Sequence, residues 1–509
     1  MYRIDNQISL AEFISPFGEL DQENRWVKIA GMIPWEMYEK KYAEQFCDDN
    51  GSPAIKFRMA MGTLIIKQTT SHSDDEVVQD IIENPYMQFL IGLHEFTTTP
   101  PFSASSITNF RKYISAEMIN EINNLLFRAV YPEPGGVTEK PGNNDEDRDN
   151  DESDSQGGGD ADSHGNIENP TGSDAPNKGT LILDATCAPA DIAYPTDVNL
   201  LNEAREKLEA IIDTLQPYNF LAPKPRTYRF EARREYLSFA LKRRPGVEKV
   251  REAIKKQLAY VARNIRHIDA MLERIPLERL SIVQQAQLTT IRILYTQQLY
   301  MYENNTHSVG DRIVSIGQPH VRPIVRGKAK APVEFGAKIS ISLTGGYSFL
   351  DRLSWDAYNE ESDLISSVET YKRHNGCYPE RVLADKIYRT KENREYCKRL
   401  GIRLSGPPLG RRSKETEKEL RKQEARDSAD RNPVEGKFGE GKSKYGLNRI
   451  MARIKESSET VISMAFLCMN ISKRLRELLR FFQIPASFNK CFVDNFFVNR
   501  DFFEIVVFG

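Results

Sequence analysis

The stretch TLILDAT at residues 180–186 decides how the rest of the chain is interpreted. An apolar run follows a long acidic segment there and ends in the carboxylate of Asp184. A short apolar run bounded by glycine and proline predicts a buried β-strand. We expect this strand to deliver Asp184 to its end, where a metal site can be built.

Two later stretches supply carboxylates of the same kind. RVLAD at residues 381–385 predicts a second buried strand that ends in Asp385, and RNPVEGKFGEGK at residues 431–442 contains Glu435. Mg²⁺ and Mn²⁺ prefer carboxylate oxygens, and two such ions about 3.5–4 Å apart serve phosphodiester chemistry. We therefore expect Asp184 to bridge two ions, with Asp385 and Glu435 each holding one of them.

Each carboxylate also has an alternative role. An aspartate at a strand end is most often a turn residue or a helix cap. Asn432 can be an N-cap with Pro433 at the first helical position, which places Glu435 where a capping acid commonly sits. Spacing alone admits three competing ligands, namely Asp191, Asp197 and Glu440. Composition and periodicity leave the ligand set open.

The net charge of −2 hides a division between two parts of the 509-residue chain. Residues 137–178 carry 12 acidic and 3 basic side chains, a net of −9, which leaves +7 for the remainder. Residues 134–179 also contain almost no large apolar side chains, so we expect a disordered acidic linker. A basic remainder fits a nucleic-acid partner.

The six cysteines are scattered, without a C-x-x-C pair. This spacing argues against structural zinc and a disulfide framework and favours a reducing compartment. The N-terminus has no basic-then-apolar signal, and no apolar run approaches the ~18 residues that a membrane span needs. We expect a cytoplasmic protein without a membrane partner.

Residues 1–133 are expected to form a helical DNA-binding domain. Apolar residues recur there at three- and four-residue spacing, which predicts helices over residues 35–46, 54–68, 75–89 and 104–127. Short helices followed by one whose polar face carries Arg111 and Lys112 are typical of a helix-turn-helix-like module. An ordinary helical bundle with a solvated face fits the same spacing.

Residues 197 to about 304 have the pattern of long helices, inserted within the α/β part. Residues 224–266 carry 14 basic and 4 acidic side chains. Such an excess favours contact with DNA phosphates, whereas many charged helix faces are only solvated. The proposed contacts are Arg233, Arg234, Arg243 and Arg244.

Downstream, strand and helix patterns alternate. Strands are expected at residues 191–194 and 312–316, a hairpin turns at Gly345-Gly346, and helices and short strands follow to residue 404. A charged helix over residues 411–431 and an apolar-faced helix over residues 447–482 complete the pattern. The order predicts an α/β fold with a mixed sheet. The aromatic-rich tail, residues 483–509, either packs on the core or forms a partner surface.

Several of these segments resemble the DDE transposases of bacterial insertion sequences, in the group with an InsH-type N-terminal domain. The matching segments are LDAT (183–186), QPHVRPIVRGKA (318–329), FGAK (335–338), SWDAYNE (354–360), ADKIYR (384–389) and NPVEGKFG (432–439). The resemblance implies a ribonuclease-H-like catalytic domain over residues 180–482, with Asp184, Asp385 and Glu435 as ligands of two Mg²⁺ or Mn²⁺ ions.

Related families also place an arginine and a lysine around the glutamate, at spacings that Arg431 and Lys442 fit. These cations are expected to hold phosphates of the transposon end. The tyrosine that those families place before the arginine is Ser428 here. The full set of expected DNA contacts is Arg431, Lys442, Arg322, Arg326, Lys328, Arg233, Arg234, Arg243, Arg244, Arg111 and Lys112.

The resemblance implies an enzyme that binds terminal inverted repeats, cleaves the element ends and joins the freed 3′-hydroxyl to target DNA. It also implies a homodimer on paired ends, in the bacterial cytoplasm at the nucleoid. Two alternatives stay open: a ribonuclease-H-like nuclease without strand transfer, and a non-catalytic DNA-binding protein whose carboxylates are structural.

Overall fold

A mixed sheet of six strands lies at the centre of the computed structural model, which describes residues 7–46, 53–130, 176–220, 222–325, 333–407 and 414–482. Its strands are β1 (Thr180–Pro189), β2 (Arg322–Val325), β3 (Val333–Thr344), β4 (Tyr347–Ser354), β5 (Arg381–Leu383) and β6 (Arg403–Leu404). The order across the sheet is β2-β3-β1-β5-β6, and β4 also pairs with β3. The predicted α/β class with a mixed sheet is confirmed.

Helices surround this sheet on both faces and extend to either side of it. Those before the sheet are α1 (Arg25–Met32), α2 (Trp35–Ala43), α3 (Phe57–Thr70), α4 (Asp74–Glu83), α5 (Pro85–Leu90), α6 (Ser106–Tyr113) and α7 (Ala116–Arg128). Those that follow β1 are α8 (Asp197–Leu215), α9 (Arg229–Ala240), α10 (Val247–Leu272) and α11 (Ile282–Glu303). The last are α12 (Asp363–Asn375), α13 (Lys391–Arg399), α14 (Lys414–Lys444) and α15 (Lys455–Phe482). No helix in these described ranges combines the length and apolarity of a membrane span.

Strand β1 is longer than its apolar run suggests. It pairs antiparallel with β3 from Leu181 through Pro189, so Asp184 lies inside the strand. The parallel pairing with β5 stops earlier, at Ile182 opposite Leu383. The expectation that Asp184 ends its strand is therefore wrong, although Asp184 does lie beyond the last parallel pair.

The hairpin between β3 and β4 is confirmed. Gly345 and Gly346 both have positive φ, 56° and 80°, which the turn between twisted antiparallel strands requires and which glycine adopts without strain. The two other expected strands, residues 191–194 and 312–316, are irregular. Backbone groups in these segments pair outside the sheet. The Ile313 N–H, for example, donates to a glutamine side chain on α11 at 2.9 Å.

The two faces of β1 enter different cores because side chains alternate along a strand. Leu181 and Leu183 pack with residues of α12 and α13. Ile182 and Ala188 face the opposite side and belong to a core that also contains residues of α14 and α15. Asp184 shares the parity of Ile182, so it faces the α14 side of the sheet.

The N-terminal helices share that second core. Apolar side chains of α3 and α6 form one continuous cluster with those of α15, for example Phe57, Ile107 and Phe466. A buried polar link joins the same parts: Asn470 of α15 donates to Asn123 of α7 at 2.8 Å and to the backbone carbonyl of β4 at 2.8 Å. The helical pattern over residues 75–89 is divided at Asn84-Pro85, because α4 ends at Glu83 and α5 begins at Pro85.

Helices α8, α10 and α11 form a separate apolar core of their own. Long helices over this region are confirmed. Helix α9 contributes little to the packing of this part of the chain, because Ala232 is its only buried residue.

Helix α14 runs without interruption through Pro433. The alternative that Asn432 caps a helix beginning at Pro433 is wrong, and Glu435 is therefore not a capping acid. The helix stays continuous at Pro433 because it packs on the sheet, where the neighbouring Val434 is fully buried. The following helix, α15, begins at Lys455, later than the apolar pattern suggests.

Candidate active site

Asp184 and Asp385 lie level with each other on neighbouring parallel strands. Ile182 is opposite Leu383, so each aspartate lies two residues beyond a paired residue and on the same face. Neighbouring strands are separated by about 4.8 Å. Asp385 also caps the 3₁₀ turn after β5, because its carboxylate accepts from the Lys386 N–H at 2.6 Å. The register thus brings two carboxylates together at one point of the sheet.

Ion pairs and a hydrogen bond fix α14 across this point. Arg403 of β6 binds Asp427 through two contacts of 2.7 and 2.8 Å. Arg381 of β5 binds Asp430 at 2.7 Å. Further along the helix, the Lys442 ammonium lies 3.3 Å from a threonine hydroxyl of β1. The helix therefore crosses β6, β5 and β1 in turn, and Glu435 projects from its middle.

The guanidinium of Arg431 lies among the three carboxylates. Its Nη1 is 4.0 Å from Asp385 and its Nη2 is 4.0 Å from Glu435. Its charge also acts on Asp184 and favours the ionised form of that carboxyl. Nη1 is shielded from solvent and makes no hydrogen bond with a described residue. Asp184, Asp385 and Glu435 are thus gathered around one cation.

The electrostatics of Asp184 differ from those of an exposed carboxylate. Burial raises the pKa of Asp184 above its ordinary value, and the charges of Glu360 and Asp385 raise it further. The Ala185 N–H, which donates to Asp184 at 2.8 Å, and the Arg431 charge oppose the rise. A cation at this point, whether guanidinium or metal, therefore stabilises a carboxylate that its surroundings disfavour.

The donor set suits a hard divalent cation, because three carboxylates from separate elements lie around Arg431. Within the described ranges, however, no three Asp, Glu, His or Cys side chains stand close enough to ligate one ion. The Arg431 guanidinium lies 4.0 Å from both Asp385 and Glu435. In the described conformation, therefore, an arginine and not a ligand cluster occupies the centre of the site.

The three competing ligands bind other partners. Asp191 pairs with Arg449 at 2.5 Å and Asp197 pairs with Arg312 at 2.7 Å. Glu440 lies 2.9 Å from Lys437. None of these carboxylates belongs to the group around Arg431.

The expected DNA contacts fall into distinct places. Arg111 binds Asp74 at 2.8 Å and is mostly covered, whereas Lys112 is exposed on the same helix. Arg322 of β2 donates to nearby backbone carbonyl groups, including that of Val321 at a distance of 3.1 Å. Arg326 and Lys328 lie outside the described residues. Arg233, Arg234, Arg243 and Arg244 are exposed on the α8–α11 insertion.

Two residues near the site were not singled out from the sequence. Glu360 raises the pKa of Asp184 through its charge, and it is itself held by Lys338 at 2.9 Å. Tyr388 is fully buried close to Asp184, and burial raises its pKa. Both residues lie within segments that carry the resemblance, SWDAYNE and ADKIYR. That position is the signal by which the sequence could have identified them.

Carboxylates from two neighbouring strands and a docked helix, with an arginine and a lysine beside them, define a candidate centre for metal-dependent phosphodiester chemistry. Comparisons with known families agree with this class. Residues 382–472 match the transposase DDE domain, and residues 16–113 match a transposase domain (DUF772). These two matches confirm the resemblance to insertion-sequence DDE transposases that the sequence shows. The DDE domain family implies metal-dependent DNA-cleaving enzymes.

A curated relative is similar to part of the chain. The uncharacterized protein ORF8 in the nfe locus of Rhizobium meliloti is 35% identical over 96 residues, which are 19% of this chain. The chain covers 46% of that relative's length. No solved structure matches significantly. The DDE match includes Asp385 and Glu435, whereas Asp184 lies outside both matched ranges.

Proposed function

We propose that this protein binds the terminal inverted repeats of a mobile element, cleaves the element ends and joins the 3′-hydroxyl to target DNA. The observation that carries the proposal is the convergence of Asp184, Asp385 and Glu435 on the Arg431 guanidinium. Both ends must be cut together, so a homodimer on paired ends is part of the proposal.

A ribonuclease-H-like fold for the catalytic part belongs to the same proposal. The strand order supports it, because β1 lies between an antiparallel hairpin on one side and the parallel strands β5 and β6 on the other. The parallel register of β1 and β5, with Ile182 opposite Leu383, further supports it, because it is consistent with Asp184 and Asp385 lying at one level.

Asp184, Asp385 and Glu435 would hold the divalent ions, which would supply Lewis-acid stabilisation of the scissile phosphate when bound. The protein's own residues position the DNA. Arg431 presents a planar set of donors that suits two phosphate oxygens at once. Lys442 places a compact positive charge next to β1. Asp184 must be ionised to act as a ligand, so its raised pKa makes the site sensitive to acid.

The test compares two aspartate variants in a cleavage assay on duplexes that carry the ends of the element. Asp184→Asn keeps the shape of the side chain but removes a ligand charge, so it should abolish Mg²⁺-dependent cleavage while DNA binding persists. Asp191→Asn is the matched control, because Asp191 is paired with Arg449 away from the centre. Full cleavage by Asp184→Asn excludes Asp184 from the site.

A second assay separates the proposal from a nuclease that cuts without joining. Pre-cut ends with a free 3′-hydroxyl are mixed with supercoiled target DNA and Mg²⁺. Joined product that is absent with Asp385→Asn supports strand transfer. Cleavage of uncut ends without any joined product favours the nuclease, and DNA binding without either reaction favours a non-catalytic protein.

A further inference from the structure

Helix α9 carries a row of apolar side chains on its solvent side. Phe230 is 87% exposed, and Leu237 and Leu241 are 48% and 85% exposed. These residues are spaced by seven and then four positions, so they form one stripe along the helix. Leu241 keeps helical backbone angles at the end of α9 and therefore continues the stripe.

The opposite face of α9 is anchored. Arg229 binds Asp213 of α8 through contacts of 3.0 and 2.8 Å. Tyr236 donates to Asn199 at 3.1 Å. Ala232, the buried residue, lies between these anchors. The exposure of the stripe therefore follows from the way the helix is attached.

The N-terminus of α9 is also fixed by contacts with its surroundings. Tyr228 has a φ of 56°, in the left-handed region that non-glycine residues rarely adopt. Its ring is covered by the guanidinium of Arg263 at 4.6 Å. Such a conformation persists only where surrounding contacts maintain it. Helix α9 is thus a fixed support for the side chains that it exposes.

Exposed cations surround the stripe. Arg233 and Arg234 are three and four positions from Phe230, on the same side of the helix, and Lys242, Arg243 and Arg244 follow Leu241 directly. All five are exposed, and none forms an ion pair with a residue that the structure describes. The surface combines apolar projections with an excess of positive charge.

The charge decides between two occupants of this surface. A second copy of the chain that used the same stripe would bring these cations against their own counterparts, because a two-fold interface pairs identical patches. DNA instead supplies phosphates to the cations. Proteins that distort DNA insert apolar side chains such as Phe and Leu between base steps while basic residues hold the backbone.

We propose that Phe230 and Leu241 form a wedge that enters the DNA bases at the element end and unstacks them, while the neighbouring arginines hold the phosphates. The wedge rests on the proposed function, because it takes its DNA from that function. The wedge gives these exposed apolar side chains a function in DNA binding that is separate from catalysis by the acidic centre. Unstacked base steps let the duplex kink, which helps it to follow the protein surface.

The test measures base stacking in the bound complex. Duplexes carrying the element end are probed in EDTA with permanganate, which attacks unstacked thymines, and with 2-aminopurine in place of each adenine. The wild-type protein should expose at least one position. Phe230→Ala/Leu241→Ala should lose this signal at saturating protein, with the Kd for DNA weakened less than tenfold. Ile282→Ala is the matched control, because Ile282 is 85% exposed on the same insertion but outside the basic segment.

A charge variant tests the other half of the surface. Arg243→Ala/Arg244→Ala should weaken binding and reduce the slope of log K against log salt by about 2, since each contact contributes about 0.9. At saturation it should keep the unstacking signal. A double apolar variant that keeps full unstacking overturns the wedge.

The remaining outcomes are equally decisive. A wild-type protein that cleaves the ends in Mg²⁺ yet leaves every base stacked overturns the wedge and leaves the proposed function intact. A protein that binds no element-end DNA overturns both. Loss of a DNA-free dimer in Phe230→Ala/Leu241→Ala, seen by sedimentation, assigns the stripe to contact between copies instead.

Discussion

Replacement of Arg431 by glutamine should tighten metal binding in the DNA-free protein. The guanidinium lies 4.0 Å from both Asp385 and Glu435 and acts on Asp184 as well. A metal ion needs the same oxygens, so its binding must displace the arginine. Arg431→Gln removes the competing charge before the metal arrives, and the metal then no longer has to break these contacts.

The exposure of the carboxylates sets the size of the effect. Two unit charges 4 Å apart interact by about 4 kcal/mol at an effective dielectric constant of 20. The side chains of Asp385 and Glu435 are 59% and 67% exposed, however, and exposed pairs are worth about 0.2–1 kcal/mol each. Two such pairs amount to roughly 0.4–2 kcal/mol, which corresponds to about 2- to 30-fold in affinity.

The assay is calorimetric titration of the DNA-free protein with Mn²⁺. Lys437→Gln is the matched control, because Lys437 is a cation of the same helix that pairs with Glu440 at 2.9 Å. It should change the Kd for Mn²⁺ less than twofold. Arg431→Gln should also lose cleavage, since the arginine is proposed to hold phosphate. Unchanged or weaker Mn²⁺ binding by Arg431→Gln refutes competition between the arginine and the metal.

The remaining predictions concern stability. Burial raises the pKa of Asp351 to about 6, above its value of roughly 4 in the unfolded chain; the folded state then binds a proton that the unfolded state has lost. Wild type should therefore lose up to about 3 kcal/mol of unfolding free energy as pH rises from about 4 to 6, and Asp351→Asn should flatten this fall in urea titrations. An identical pH slope in the variant contradicts the assignment. Asn470→Ala leaves buried partners on α7 and β4 unsatisfied and should cost about 2–4 kcal/mol, whereas a loss below about 1 kcal/mol shows that the link is unimportant. Gly336→Ala places a methyl group 2.1 Å from the Ala188 carbonyl oxygen and should lower Tm sharply. Gly436→Ala, which has open space around it, should raise stability by up to ~1 kcal/mol. Equal thermal shifts in the two variants argue against the close approach of β1 and β3.

Local rules explain what could be predicted about the candidate site. The apolar runs before Asp184 and Asp385 identified two buried strands, because burial on both faces demands continuous apolar residues. The glycine pair at the β3–β4 turn identified the hairpin. Those signals lie within a few residues of the feature that they predict.

Helix α14 shows where local signals mislead. Proline usually begins or breaks a helix, and three glycines follow it, so the segment around Glu435 looked like a helix start or a loose turn. Contacts with Arg403 and Arg381, which are distant in the sequence, hold the helix continuous instead. Arg111 was likewise expected to face DNA, yet Asp74 of α4 binds it.

The sequence by itself determined that acids would stand on buried strands, that a basic helical insertion would follow β1, and that the chain resembles the DDE transposases. Only the tertiary structure decided that Asp184 and Asp385 lie level, that α14 carries Glu435 over them and that Arg431 fills the centre. The reason is physical: burial and turn chemistry are encoded within a few residues. Strand register and helix docking depend on partners roughly 200 residues away, which no local pattern specifies.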